Sequence, residues 1–145
     1  MIIRRMNGSD IERVAEIEKD LFGVPWSKET LEDCLGNRLY YCYVVEKDGQ
    51  LAGYILLMAV AGEMELLRIA TDKSFQRQGL ADALMNTMIC EAEKLGIEAI
   101  TLEVRSRNEA AISLYNKYGF IPEGIRKNYY HNPTDDAVIM WRRTV

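Results

Sequence analysis

The sequence predicts a mixed α/β domain: a mostly antiparallel seven-stranded sheet with helices on both faces, in the order β-α-α-β-β-β-α-β-α-β-β. Three observations predict it. Asp48-Gly49 and Gly62 join three consecutive strand-like runs by turns too short for crossovers, so those strands must run antiparallel. A long helical run between two strand-like runs requires a right-handed crossover and a locally parallel pair. Two further strand-like runs, joined around Asn132-Pro133-Thr134-Asp135, close the chain.

The elements follow in order. Residues 1–6 read as an opening strand. Ser9 with Glu12 reads as a capping box, and Ile11, Val14, Ile17 and Leu21 follow at helical spacing. Gly23-Val24-Pro25-Trp26 breaks that helix. Ser27 caps a second one carrying Leu31, Cys34 and Leu35, with Gly36 as its stop. Residues 40–46, 51–61 and 63–71 are rich in strand formers. Leu80, Leu84, Met88, Ala92 and Leu95 mark one face of a long helix that Gly96 ends. Residues 97–104 read as a strand. Residues 108–118 read as a helix with Ala111, Leu114, Tyr115 and Tyr118 on one face and Gly119 as its stop. Residues 120–130 and 137–143 form the closing strand pair. No repeat or linker interrupts this pattern, so residues 1–145 are expected to form a single domain.

Composition narrows the function classes. Apolar residues make up 48% of the chain, enough for a full core, which excludes a disordered or fibrous protein. The net charge of −4 is opposite to that of most free nucleic-acid binders, so no direct nucleic-acid contact is expected. Cys34, Cys42 and Cys90 are odd in number and widely spaced; they form neither a disulfide framework nor a metal pair. They are expected to be small buried residues in a reducing compartment. The N-terminus shows no signal-peptide pattern, and the longest apolar run is too short to span a bilayer. A cytoplasmic protein, with no membrane contact and no metal, is the expectation.

The stretch Gln76-Arg77-Gln78-Gly79-Leu80-Ala81 lies between a strand and the long helix. Gly79 lets the backbone approach a ligand, and residues 77–81 would aim successive N–H groups at one point at the positive end of the helix dipole. That pattern suits a pyrophosphate, with Arg77 adding a direct charge.

Gln76-x-x-Gly79-x-Ala81 resembles the acetyl-CoA loop of the GNAT N-acetyltransferase superfamily. Asn108-x-x-Ala111-Ile112-x-Leu114-Tyr115-x-x-x-Gly119-Phe120 is similar to its second signature. The element order is that superfamily's over the whole chain. Pro25-Trp26-Ser27, Leu102-Glu103-Val104-Arg105, Asn108 and Asn128-Tyr129-Tyr130 narrow the resemblance to the bacterial RimI family. That family acetylates the N-terminal alanine of a small-subunit ribosomal protein.

The resemblance implies a GNAT fold, acetyl-CoA as co-substrate and direct transfer in a ternary complex. It makes Glu103 the general base and Tyr115 the general acid. Alternation along the strand sets Glu103 opposite Leu102 and Val104. Asn108 is both a helix cap and a contact for the pantetheine arm, and Ile69, Ala70 and Thr71 bind that arm through their backbone. Gln76, Arg77, Gln78, Gly79, Leu80 and Ala81 hold the phosphates. Pro25, Trp26, Tyr129 and Tyr130 form a slot for the N-terminal segment of a ribosomal protein. His131 falls outside every motif and reads as a surface residue. Many relatives carry Gly in place of Ala81 and a basic residue in place of Asp82, so Asp82 is expected to weaken phosphate binding. A monomer or weak dimer is expected. Acetylation of a small-molecule amine, or a non-catalytic acyl-CoA-binding module, are the other readings; the presence of both Glu103 and Tyr115 speaks against the second of these.

Overall fold

In the computed structural model, which describes residues 1–144, seven strands form one sheet in the order β1-β2-β3-β4-β5-β7-β6. The elements are β1 (Ile2–Arg5), α1 (Ile11–Leu21), α2 (Lys28–Leu35), β2 (Tyr40–Lys47), β3 (Gln50–Val60) and β4 (Glu63–Thr71). There follow α3 (Leu80–Lys94), β5 (Ala99–Arg105), α4 (Glu109–Lys117), β6 (Ile121–Tyr130) and β7 (Asp135–Arg143). This is the expected order, and only the β4–β5 pair is parallel.

Turn chemistry sets the first half. Asp48-Gly49 and Ala61-Gly62 both adopt positive φ at two successive residues. That is the turn geometry whose twist matches a two-residue hairpin. The central strands are buried on both sides. Cys42, Val44, Tyr54 and Leu56 face α1 and α2. Tyr43, Val45, Ile55 and Leu57 face α3 and α4. Strict alternation between two apolar faces makes β2 and β3 read as unbroken hydrophobic runs.

Three local expectations are corrected. Ser9 and Glu12 do not form the capping box. Asn7 is the cap: its side chain accepts from the Ser9 N–H at 2.9 Å, and Asp10 accepts from the Asn7 N–H at 2.9 Å. Arg4 on β1 selects this arrangement by gripping both Asp10 oxygens at 2.8 Å. Residues 97 and 98 do not belong to β5. The Gly96 and Ile97 N–H groups bond back to the Glu93 and Ala92 carbonyls, closing α3 with a Schellman motif in which Ile97 packs on the core. Cys34 and Cys42 are buried as expected, but Cys90 on α3 is exposed.

Burial raises the Cys34 thiol and pushes Cys42 up to about 11. Aromatic-disulfide reagents at pH 8 should therefore titrate one thiol in the native protein and all three in urea. Fast titration of more than one native thiol would contradict this burial.

Candidate functional site

The parallel ladder is short. β4 and β5 pair only at Glu63↔Ala99, Met64↔Ile100 and Glu65↔Thr101. Beyond that they diverge. On β4 a bulge places Leu66 opposite Leu57 and Arg68 opposite Leu56, leaving Leu67 extra. A bulge bends its strand, and here β4 follows β3 while β5 stays paired with β7 from Ala99 to Arg105. The wedge between them is a cleft of about 540 Å³. Ile69, Ala70 and Thr71 line one side; Glu103, Asn108, Ala111 and Tyr115 line the other. The β4 edge from Leu67 to Thr71 has no strand partner on this side.

Glu103 lies on the cleft side of β5, while Leu102 and Val104 are buried beneath α3 and α4. Its Oε2 is buried and has no hydrogen-bond partner among the described residues. Arg126 on β6 brings Nε to 3.5 Å, near enough for charge balance without a hydrogen bond. Glu65 shares this face one strand away; burial first, then the Glu103 charge, push its carboxyl upward. Tyr115 on α4 lines the same cleft; it is 7% exposed, its ring edge-on to Phe120 at 6.0 Å. Burial, and secondarily Tyr130, pushes its phenol up to about 12. A phenol so placed holds its proton at neutral pH, as a proton donor must.

At one end of the cleft α3 begins. Gly79 stands at its N-cap with φ +81° and supplies no side-chain cap. By contrast, Ser27 caps α2 and Asn108 caps α4. The first N–H groups of α3 are thus left for an outside acceptor. Arg77 also adopts positive φ, at 63°. A Cβ at Gly79 would meet nothing within 4 Å, so the glycine serves its φ and not a tight contact. These features fit a pyrophosphate group, and the open β4 edge fits an amide-bearing arm. Gln76 to Gly79 are exposed, Ala81 lines the cleft, and Leu80 is buried in the core, so Leu80 has only its backbone to offer. The Gln76 side chain donates to the Thr71 carbonyl at 3.3 Å, tying the loop to β4. Asp82 is not a free repelling charge. Lys117 and the Tyr118 hydroxyl each hold its carboxylate at 2.7 Å.

A second cavity, of about 440 Å³, opens on the other side of Arg68 and Tyr130. Pro25 and Trp26 line it, with Arg105. Tyr129 is 47% exposed and lines neither cavity; its ring meets Tyr130 edge-on at 5.1 Å. The sequence pattern thus brought three of its four slot residues together. Exposed His131 contributes only its carbonyl, which accepts from Arg105 at 2.9 Å, and Pro133 accepts from the same guanidinium at 2.8 Å. Arg105 also lies 4.6 Å from the Tyr130 ring centroid. Sequence reasoning missed Glu18, Arg68 and Tyr54. A charge at a helical position that faces the sheet was the available signal for Glu18.

The acetyltransferase (GNAT) family model matches residues 11–120. The chain belongs to this family. A [ribosomal protein bS18]-alanine N-acetyltransferase of Escherichia coli (strain K12) is 38% identical over 142 residues, covering 95% of this chain and 94% of its own. The crystal structure of the ribosomal-protein-S18-alanine N-acetyltransferase from Escherichia coli superposes with a TM-score of 0.91 at 35% identity, over 98% of this chain and 92% of that one. A PaiA N-acetyltransferase from Thermoplasma acidophilum, in complex with coenzyme A, shares the fold with a TM-score of 0.79 at 23% identity, over 98% of each chain. This GNAT enzyme is accordingly an acetyl-CoA-dependent N-acetyltransferase.

Tyr115, Tyr118 and Tyr130 are each pushed up to about 12, first by burial. Unfolded phenols lose their protons near pH 10. A raised native pKa gives stability that is complete below about pH 10 and lost as pH climbs toward 12. The urea midpoint of the GNAT enzyme should therefore fall between pH 9 and pH 11; an unchanged midpoint would contradict these shifts.

Proposed function

We propose that this enzyme transfers the acetyl group of acetyl-CoA to the N-terminal α-amine of a ribosomal protein, with an alanine N-terminus of the bS18 type as its substrate. The observation that carries the reading is the Glu103 carboxylate, half-buried and, among the described residues, without a hydrogen-bond partner at Oε2, in a cleft that fits acetyl-CoA and that shares Arg68, Arg105 and Tyr130 with an aromatic slot that fits a peptide. The names borne by its relatives support the same substrate.

The loop from Gln76 to Ala81 and the N-terminus of α3 hold the phosphates, with Arg77 adding charge. Paired to Lys117, Asp82 costs them little. Ile69, Ala70 and Thr71 hold the pantetheine arm by their backbone, and Asn108 contacts it from the α4 cap. Acetyl-CoA supplies the activated thioester.

The chain's residues then move protons. An α-amine has a pKa near 8, so it arrives mostly as the ammonium ion. Glu103 takes one proton from it and passes that proton to solvent. The freed amine attacks the acetyl carbon: a C–N bond forms and the C–S bond breaks. A main-chain N–H on the open β4 edge donates to the acetyl oxygen as it gains charge. Tyr115 gives its proton to the departing thiolate and regains one from the amine nitrogen. The third ammonium proton stays on the new amide. Pro25, Trp26 and Tyr130 hold the first residues of the peptide, and Tyr129 guards the outer rim.

The enzyme works in the cytoplasm as a monomer or weak dimer and needs neither membrane nor nucleic acid. The negative net charge supports the absence of nucleic-acid contact.

Acetyl transfer to a peptide of the ribosomal protein's N-terminus, compared with the same peptide blocked at its α-amine, tests the substrate. Activity only on the free form is expected. Equal activity on both would transfer the reading to lysine, and activity confined to small amines would overturn it. Glu103→Gln should lower kcat by about 10²–10⁴ with the acetyl-CoA Kd nearly unchanged. Tyr115→Phe should lower kcat by about tenfold or more, with the pH profile losing dependence on that proton donor. Unaltered turnover in either variant would remove that residue from its role.

A further inference from the structure

Glu18 on α1 has no exposed surface. A carboxylate removed from water must be met by donors. Three elements supply them. Tyr54 on β3 donates its hydroxyl. Arg68 on β4 donates Nε at 3.2 Å to both oxygens and a terminal nitrogen at 3.0 Å. The Trp26 main-chain N–H donates at 2.8 Å. The third donor belongs to the α1–α2 loop itself.

Arg68 also reaches that loop directly. The same terminal nitrogen donates to the Val24 carbonyl at 2.8 Å. Its guanidinium carbon lies 3.9 Å from the Phe22 ring centroid and 5.8 Å from that of Trp26. Gly23, Val24 and Pro25 are exposed and have no core of their own to sit on. Arg68 precedes Ile69 on the splayed stretch of β4 and lines both cavities.

We propose that Arg68, braced by buried Glu18, is a positioning residue that fixes the peptide-side wall of the active site and thereby sets affinity for the acetyl acceptor. The inference rests on the reading of the second cavity as a peptide slot. Arg68 is suited to it because a planar fork can serve Glu18 and a loop carbonyl together while its face stacks on an aromatic ring. Tyr54 is the internal contrast: it shares the Glu18 acceptor but, among the described residues, makes no side-chain hydrogen bond to the loop.

Arg68→Lys and Tyr54→Phe separate positioning from stability. Lysine keeps the charge opposite Glu18 and loses the fork and the stacking. Arg68→Lys should raise the peptide KM about tenfold, leave the acetyl-CoA KM within about twofold, and speed hydrogen exchange of residues 22–26. Tyr54→Phe should lower Tm by a few degrees, on the order of 3–8 °C, with the peptide KM unmoved. Should the lysine variant not fold, Phe22→Leu, which leaves Glu18 paired, should raise the peptide KM about threefold. A peptide KM unchanged in Arg68→Lys, or raised equally in Tyr54→Phe, would overturn the inference. Parallel shifts in both substrates' constants would do the same. Wild-type protein inactive on every N-terminal peptide would fail the earlier reading instead; loop exchange then decides this one, with unchanged exchange overturning it.

Discussion

Everything at the site depends on the loss of pairing between β4 and β5 after Glu65↔Thr101. Two neighbouring strands in a sheet normally consume each other's main-chain donors and acceptors. Here the Leu67 bulge bends β4 along β3, while β5 holds register with β7. The divergence leaves one strand edge free inside the domain, where a ligand can complete it. It also opens the cleft that Glu103 on β5 and Tyr115 on α4 both line. Had the ladder continued, β5 would consume the β4 edge and the loop at Gly79 would have no cavity beside it.

An opened sheet needs its loose ends tied, and two arginines do this from the two diverging strands. Arg68 on β4 holds the α1–α2 loop through Val24 and Glu18. Arg105 on β5 holds the β6–β7 turn through the His131 and Pro133 carbonyls. Each also stacks on an aromatic residue of the wall it holds. The walls of the slot are loops in sequence terms, yet charge-assisted hydrogen bonds anchor them to strands of the sheet.

Much of this was legible in the residues. The hairpin dipeptides gave the antiparallel half, and Gly79 ahead of an apolar helical stripe gave the uncapped start of α3. Alternation around Glu103 placed it on the open face. Asp82 is expected to help the phosphates less than a basic residue would, and its partners, Lys117 and Tyr118, lie 35 and 36 residues away and leave no local signal. The capping box was misplaced for the same reason: Asn7 prevails over Ser9 because Arg4, on a strand, holds Asp10. Tyr129 and Tyr130 are indistinguishable as a dipeptide, and the fold turns only Tyr130 inward.

The sequence by itself determined the order of elements, the presence of helices on both sheet faces, the glycine ahead of the long helix and the strand position of Glu103. These follow from periodicity, turn chemistry and short motifs, whose physics acts within a few residues. The tertiary structure alone decided where the ladder opens, which tyrosine lines the second cavity, how Asp82 is paired and how Glu18 and Arg68 hold the α1–α2 loop. Those outcomes are fixed by charge pairing and burial between segments far apart in the chain, and such contacts have no signature until the chain has folded.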